Sequence, residues 1–434
     1  MARRARWAWL GLSLLLTGGA VVAPATASAA PVAPMAGPVP GASPDFDGDG
    51  EADLAAGIYL DQSDQYAVRI WYGSGAVTDV TNADVGGPVV TDGEGGLRGP
   101  LLARDFNGDG YCDLAFTIPG EHLSVVQVFG SASGLDLAGR HTTEVAAAAG
   151  DTLYAKALAL VSAPKPRLAV GYSISRGESR FARVGVFDLA ASGAASGTPL
   201  IVRAGAGSMP KLADWTFGSF GDALAASGNR LFVGMPLATV SGHKYAGAVV
   251  DVTMGATGVS SAKAISQSTS GVTGVAGKGD NFGGSLAAAD GYLAVGAPWD
   301  DVESVKNTGS VQVFTVTSKS LTPVRRVSQY GSAVPGKAEP YDVFGYSVAF
   351  GRSCAGVVSL IVGGPGEVIA PEHESDGAVW LVPLTSAKGC AAAQLYEGHG
   401  LSGRPRDASV GYDVAALRDG KGVTCHNLPR APAC

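Results

Sequence analysis

The sequence predicts an all-β fold, a β-propeller of four-stranded antiparallel blades, on three observations. Glycine and proline are abundant, at 63 and 24 of 434 residues, which weakens helix interiors and favours turns. Only 16% of residues are charged, which excludes a coiled coil and a basic nucleic-acid-binding chain. A set of four short apolar strands recurs about every 60 residues, the length of one propeller blade.

The first element lies outside that ring. Arg3, Arg4 and Arg6 precede an apolar run from Trp7 to Val22, and Ala27-Ser28-Ala29 offers a small-residue cleavage site. Residues 1–29 therefore read as a secretory signal peptide, and the chain as secreted and extracellular. Removing them takes the formal charge from −7 to −10. Such a surface favours cations over nucleic acid. No later stretch is long and apolar enough for a transmembrane segment. Residues 30–44 form a Pro/Ala-rich linker, residues 45–418 the propeller, and residues 419–434 a cysteine-containing tail.

Within the propeller, second strands start at Leu54, Leu114, Leu168, Leu231, Leu293 and Leu360. Six repeat units follow from that spacing. The later copies are sharpest. Phe220-Gly221, Phe282-Gly283 and Phe344-Gly345 each open a first strand. Leu231–Pro236, Leu293–Pro298 and Leu360–Pro365 are second strands that end in Gly-x-Pro. The chain enters the ring at Asp45, directly before a second strand. The missing first strand is supplied by Val410–Leu417, so the C-terminal strand is expected to close the ring.

The paired Phe-Gly and Gly-x-Pro signals resemble the FG-GAP repeat of integrin α-subunit N-terminal propellers, and are similar to those of secreted actinobacterial proteins. The resemblance covers about residues 45–418 and implies a propeller; seven blades are the family norm, against six units counted here.

Two loops carry the chemistry. Asp45, Asp47, Asp49, Glu51 and Asp53 fall in the string D-x-D-x-D-G-x-x-D. Asp105, Asn107, Asp109, Tyr111 and Asp113 repeat it with one asparagine. Side-chain oxygens at positions 1, 3, 5 and 9, with the backbone carbonyl at position 7, suit a hard cation. Gly50 and Gly110 permit the sharp turn. In the resembled family such loops, between first and second strands, bind Ca²⁺, which implies two calcium sites here. Elsewhere the equivalent turns are plain hairpins, such as Asp290-Gly291.

Five cysteines leave an odd thiol. First-to-second and third-to-fourth loops emerge on one face, so a Cys354–Cys390 disulfide is favoured, with Cys112, Cys425 and Cys434 open. Catalytic strings are decoys: Gly331–Ala338 lacks the Ser/Thr of a P-loop, and His373-Glu374 has no second histidine. The expected function is a calcium-stabilised extracellular module that binds a protein or glycan ligand. The alternative is a carbohydrate-active hydrolase or lyase using channel carboxylates, for which Asp222, Asp280 and Asp342 beside the Phe-Gly motifs are candidates. The second-to-third loops, among them Tyr172–Arg183 and Trp299–Thr308, form the expected ligand face.

Overall fold

The computed structural model describes residues 13–15, 44–51, 53–60, 65–86, 100–118, 122–211, 213–214, 218–353, 357–369, 377–386, 390–397, 400–401 and 413–415. Six sheets form a propeller ring, and the described residues contain no helix. Blade 1 comprises Leu54–Leu60, Gln65–Trp71 and Val77–Val80. Blade 2 is Leu102–Arg104, Asp113–Ile118, Leu123–Phe129 and Asp136–Val145. Blade 3 is Thr152–Val161, Arg167–Arg176, Ser179–Leu189 and Ala195–Val202. Blade 4 is Leu224–Ser227, Arg230–Met235, Ala248–Met254 and Val259–Ile265. Blade 5 is Ser285–Ala289, Tyr292–Ala297, Ser310–Val316 and Leu321–Val327. Blade 6 is Ser347–Ser353, Val357–Gly364, Ala378–Pro383 and Ala393–Glu397. Within each blade, consecutive strands pair antiparallel in chain order.

Burial explains the composition of each strand. Second strands are covered on both faces, so Arg230–Met235 is buried throughout and reads as a near-continuous apolar run. Outer strands alternate: Val259–Ile265 exposes Ser260, Ser261 and Lys263 and buries Ile265. Apolar clusters lie between neighbouring blades, as where Ala225, Phe232 and Val249 of blade 4 meet Leu293, Val295 and Phe314 of blade 5.

The two sequence signals of the repeat turn out to be one contact. The Phe-Gly amide bonds to its own blade: Gly221 N donates to Gly234 O at 2.8 Å, and Gly283 N to Gly296 O at 2.9 Å. The same glycine's carbonyl faces the preceding blade. There it lies against Gly171, Gly234 or Gly296, so close that a Cβ would collide with Gly221 O, Gly283 O or Gly345 O. The Gly-x-Pro glycines Gly234 and Gly296 are therefore required by the next blade's Phe-Gly, and Gly171 holds the same place without the proline. The phenylalanines seal the seam, with Phe220, Phe282 and Phe344 buried. Phe282→Ala is expected to lower stability by about 3–5 kcal/mol in urea unfolding, through lost transfer energy and a cavity.

Arginines on second strands staple the rim. Arg167 pairs with Asp188 and donates to Gly255 O and Ala256 O of blade 4. Arg230 repeats this one blade on, pairing with Asp251 and donating to Thr317 O of blade 5.

Two expectations need correction. Asp413–Ala415 is a strand and packs beside the inner strand of blade 6, as expected of the closing strand. Its hydrogen-bonded partner, however, is Ser13–Leu15, in parallel, and not Leu54–Leu60. Second, Tyr172–Arg183 is no open loop. Strand pairing runs on to Arg176 and Ser179, leaving a two-residue turn. Asp151, accepting both Arg176 guanidinium hydrogen bonds at 2.6 and 2.8 Å, helps to hold that extension.

Candidate metal centre

The two acidic loops adopt one conformation. In the first, Asp45 caps the turn: its Oδ1 accepts from Gly48 N at 2.6 Å and its Oδ2 from Gly50 N at 3.1 Å. Asp47 Oδ1 accepts from Asp49 N and Asp49 Oδ1 from Glu51 N. In the second, Asp105 accepts from Gly108 N at 2.6 Å and Gly110 N at 3.1 Å. Asn107 Oδ1 accepts from Asp109 N, and Asp109 Oδ1 from Tyr111 N. Gly50 and Gly110 take φ of 86° and 97°, the left-handed turn their position demands. The sequence reading missed that Gly48 and Gly108, at 71° and 80°, share the requirement.

This folding brings carboxylates together. One oxygen from each of Asp45, Asp47 and Asp49 lies within 4.8 Å of the others. An all-oxygen, triply acidic set on a short turn has the donor chemistry of a hard divalent cation.

Asp53 and Asp113 do different work from their neighbours. Both are fully buried. Asp53 accepts from Phe46 N at 2.5 Å and Gly73 N at 2.8 Å, while Asp113 accepts from Phe106 N at 2.7 Å and Gly130 N at 2.9 Å. Each ties its loop to the third-to-fourth turn of its blade, so those two turns share a face, as expected. Burial is the main cause that pushes both carboxyls up to about 6, opposed by the backbone N–H donors. Burial likewise leads the upward shift of Asp45, with Asp49 and Asp47 adding to it.

The loops also touch each other. Cys112 N donates to Asp45 O at 2.9 Å, and Ser131 N to Phe46 O at 3.1 Å. The Tyr111 ring covers Gly48, where a Cβ would come within 2.5 Å of it. Burial pushes the Cys112 thiol up to about 12, so it is an inert neighbour. Among the described residues no disulfide is formed; Cys354, Cys425 and Cys434 lie outside them, and with Cys354 the favoured pairing.

The channel candidates lie elsewhere than expected. Asp280 and Asp342 are buried in the seams between blades, accepting at 2.6 Å from Gly277 N and Glu339 N. Asp222 is half-buried beside the blade 4 motif.

The blade 5 segment combines the linker Gly274–Asp280, Phe282-Gly283, and the Gly-x-Pro strand whose glycine meets blade 6. Residues 274–314 match the FG-GAP repeat. This FG-GAP segment ends at Phe314, inside the third strand of the blade. No curated protein matches the chain. Among solved structures, a variant of the Aleuria aurantia lectin in complex with alpha-methyl-L-fucoside aligns at TM-score 0.38 and 12% identity, covering 82% of this chain and 93% of that one. The fucose-specific lectin from Aleuria aurantia in its mercury-derivative form aligns at TM-score 0.35 and 12% identity, covering 84% and 92%. No helix among the described residues is long and apolar enough to cross a membrane.

Proposed function

We propose that the chain is a secreted, calcium-stabilised binding module of the extracellular space. The observation that carries this reading is the convergence of Asp45, Asp47 and Asp49 oxygens within 4.8 Å on a turn that the second loop reproduces bond for bond. In the first site Asp45, Asp47 and Asp49 would hold Ca²⁺ with the Glu51 carbonyl and the buried Asp53. In the second, Asp105, Asn107, Asp109, the Tyr111 carbonyl and Asp113 would do so. The ion would neutralise clustered carboxylates and fix the turn, a structural role.

The opposite face supplies the ligand surface. Trp299 and Tyr341 are 37% and 58% exposed there. Left-handed backbone occurs in the same set of loops, at Ser241, Tyr245, Glu303 and Asn307, and at Tyr341 itself. Strained turns held by a rigid ring mark functional loops, and aromatic rings with polar neighbours suit a glycan or protein partner.

The test has two parts. The protein recovered from culture medium should begin at Ala30 by intact mass; retention in the cell with an intact leader would refute secretion. On glycan and protein arrays, Trp299→Ala should weaken a calcium-supported hit at least tenfold. Release of reducing sugar from a bound glycan would instead favour the hydrolase.

A further inference from the structure

The seams on either side of blade 5 are built alike but neutralised differently. At the seam of blades 4 and 5, Asp280 and Asp300 are both buried, at 4% and 2% exposure. Asp300 accepts hydrogen bonds from Ser310, from Gln267 of the preceding blade, and from the Arg326 guanidinium. The seam of blades 5 and 6 repeats every position. Asp342 stands for Asp280, two residues before the phenylalanine, and Glu367 stands for Asp300, two residues after the proline. Gln329 stands for Gln267, and Gly336 for Gly274. Two of the three donors to Asp300 are replaced, however: Ser310 by Ala378, and Arg326 by Gln394.

Among the described residues, the second seam therefore buries two acids with no cation paired to either. Asp342 and Glu367 are 0% and 3% exposed. The charged groups that act on Asp342 are Glu367, after the second strand of blade 6, and Glu339, on the segment leading into the blade. Both are acidic. From blade 5 only the neutral Thr308 hydroxyl reaches Asp342, at 3.4 Å. Lys337 turns outward and pairs with Glu339 at 3.0 Å.

The hydrogen bonds show which proton is missing. Each Glu367 oxygen has an amide donor: Oε1 accepts from Gln394 Nε2 at 2.7 Å and Oε2 from Gln329 Nε2 at 2.8 Å. Asp342 Oδ2 accepts from Glu339 N at 2.6 Å. Two buried acceptors, Asp342 Oδ1 and Gln329 Oε1, have no hydrogen-bond partner among the described residues. The linker closes over the amides, since a Cβ on Gly336 would stand 3.0 Å from Gln329 Nε2 and 3.2 Å from Glu367 Oε1.

We propose that Asp342 and Glu367 share one proton, carried on Asp342, and that this proton is a pH-sensitive latch joining blade 6 to blade 5. A neutral Asp342 supplies the donor that the seam lacks and relieves its repulsion with Glu367. Burial, with Glu367 and Glu339 adding to it, pushes Asp342 up to about 7, whereas Asp280 beside Arg326 reaches only about 6.

The direction follows. Between the ordinary carboxyl range and about 7, the folded chain holds a proton that the unfolded chain has released. Stability from the latch is full at the acid end of that window and is lost as pH rises through about 7.

The experiment is thermal unfolding of the full chain from pH 5.5 to 8.5 in saturating calcium, which keeps the loop carboxylates ionised. For the wild type, the folding equilibrium should weaken with rising pH by about thirtyfold over this range. Asp342→Asn places a permanent donor at the same atom and should remove most of that fall, leaving the variant more stable than wild type at pH 8.5. Gln394→Arg installs the cation of the sister seam and should also flatten the profile, and it carries the test should the first variant fail to fold. Parallel falls in wild type and both variants would overturn the latch. So would loss of one bound metal ion per chain in Asp342→Asn, which would make the seam a metal site.

Discussion

Chelation of calcium is expected to lower the unfolding midpoint of the full chain by roughly 5–10 °C, with two ions lost per chain. A ligand that binds only the folded state stabilises it by mass action, and at 100 times its dissociation constant each site contributes about 2.7 kcal/mol. The cost of an empty first site is visible in the geometry. Three carboxylates face one another within 4.8 Å on a turn whose own N–H groups are their main partners. Asp45→Ala should remove one ion and Asp105→Ala the other. Because Cys112 N donates to Asp45 O, and Tyr111 covers Gly48, losing either ion should also weaken binding at the other loop. Equilibrium dialysis with calcium alone measures both effects. A midpoint indifferent to chelator, with no ion counted, would reduce the loops to acidic hairpins.

Asp53→Ala separates two roles for position 9. A ligand alone would cost only calcium. The anchor seen here, accepting from Phe46 N and Gly73 N, would cost stability in chelator as well, by about 2–4 kcal/mol for two buried donors left unpaired. Urea unfolding without calcium decides between them.

The ring was legible because a blade is a local object. Strand periodicity, hairpin turns and the Phe-Gly and Gly-x-Pro signals all lie within about 60 residues, and the second strands fall within three residues of their expected starts. The shared turn of the two acidic loops was legible for the same reason, since all its side chains lie within nine residues. What escaped is what joins one blade to the next. The partners of Asp342 include Thr308, and Glu367 is held by Gln329, 38 residues away. A single repeat therefore shows Asp280 and Asp342 only as acids near a motif, open to a catalytic reading. The pairing of Ser13–Leu15 with Asp413–Ala415 escaped too, because it spans nearly the whole chain. The extension of the blade 3 hairpin was hidden by polar residues at Ser173, Ser175 and Arg176, which read as loop although their backbone pairs as strand.

Gly296→Ala is expected to be strongly damaging for a single added methyl group. The added Cβ would meet the Gly345 carbonyl oxygen and the Ser285 hydroxyl well inside van der Waals contact. Neither neighbour can yield cheaply. Gly345 is fixed by its N–H on Gly363 O at 3.0 Å and by a φ of 93°. Ser285 Oγ is itself bonded to Gly345 O at 2.7 Å, a bond that the methyl group would displace. Relief requires separating blade 5 from blade 6, which exposes Phe344 and the Asp342 seam together. Overpacking and a lost buried hydrogen bond make the cost roughly 3–5 kcal/mol. Gly258→Ala is the control, because its Cβ would meet nothing nearer than Leu200 Cδ2 at 3.7 Å. It should stay within about 0.5 kcal/mol of wild type. If urea midpoints of the two variants coincide, the glycine-to-carbonyl contact does not hold the blades together, and the coupling of Phe-Gly to Gly-x-Pro needs another cause.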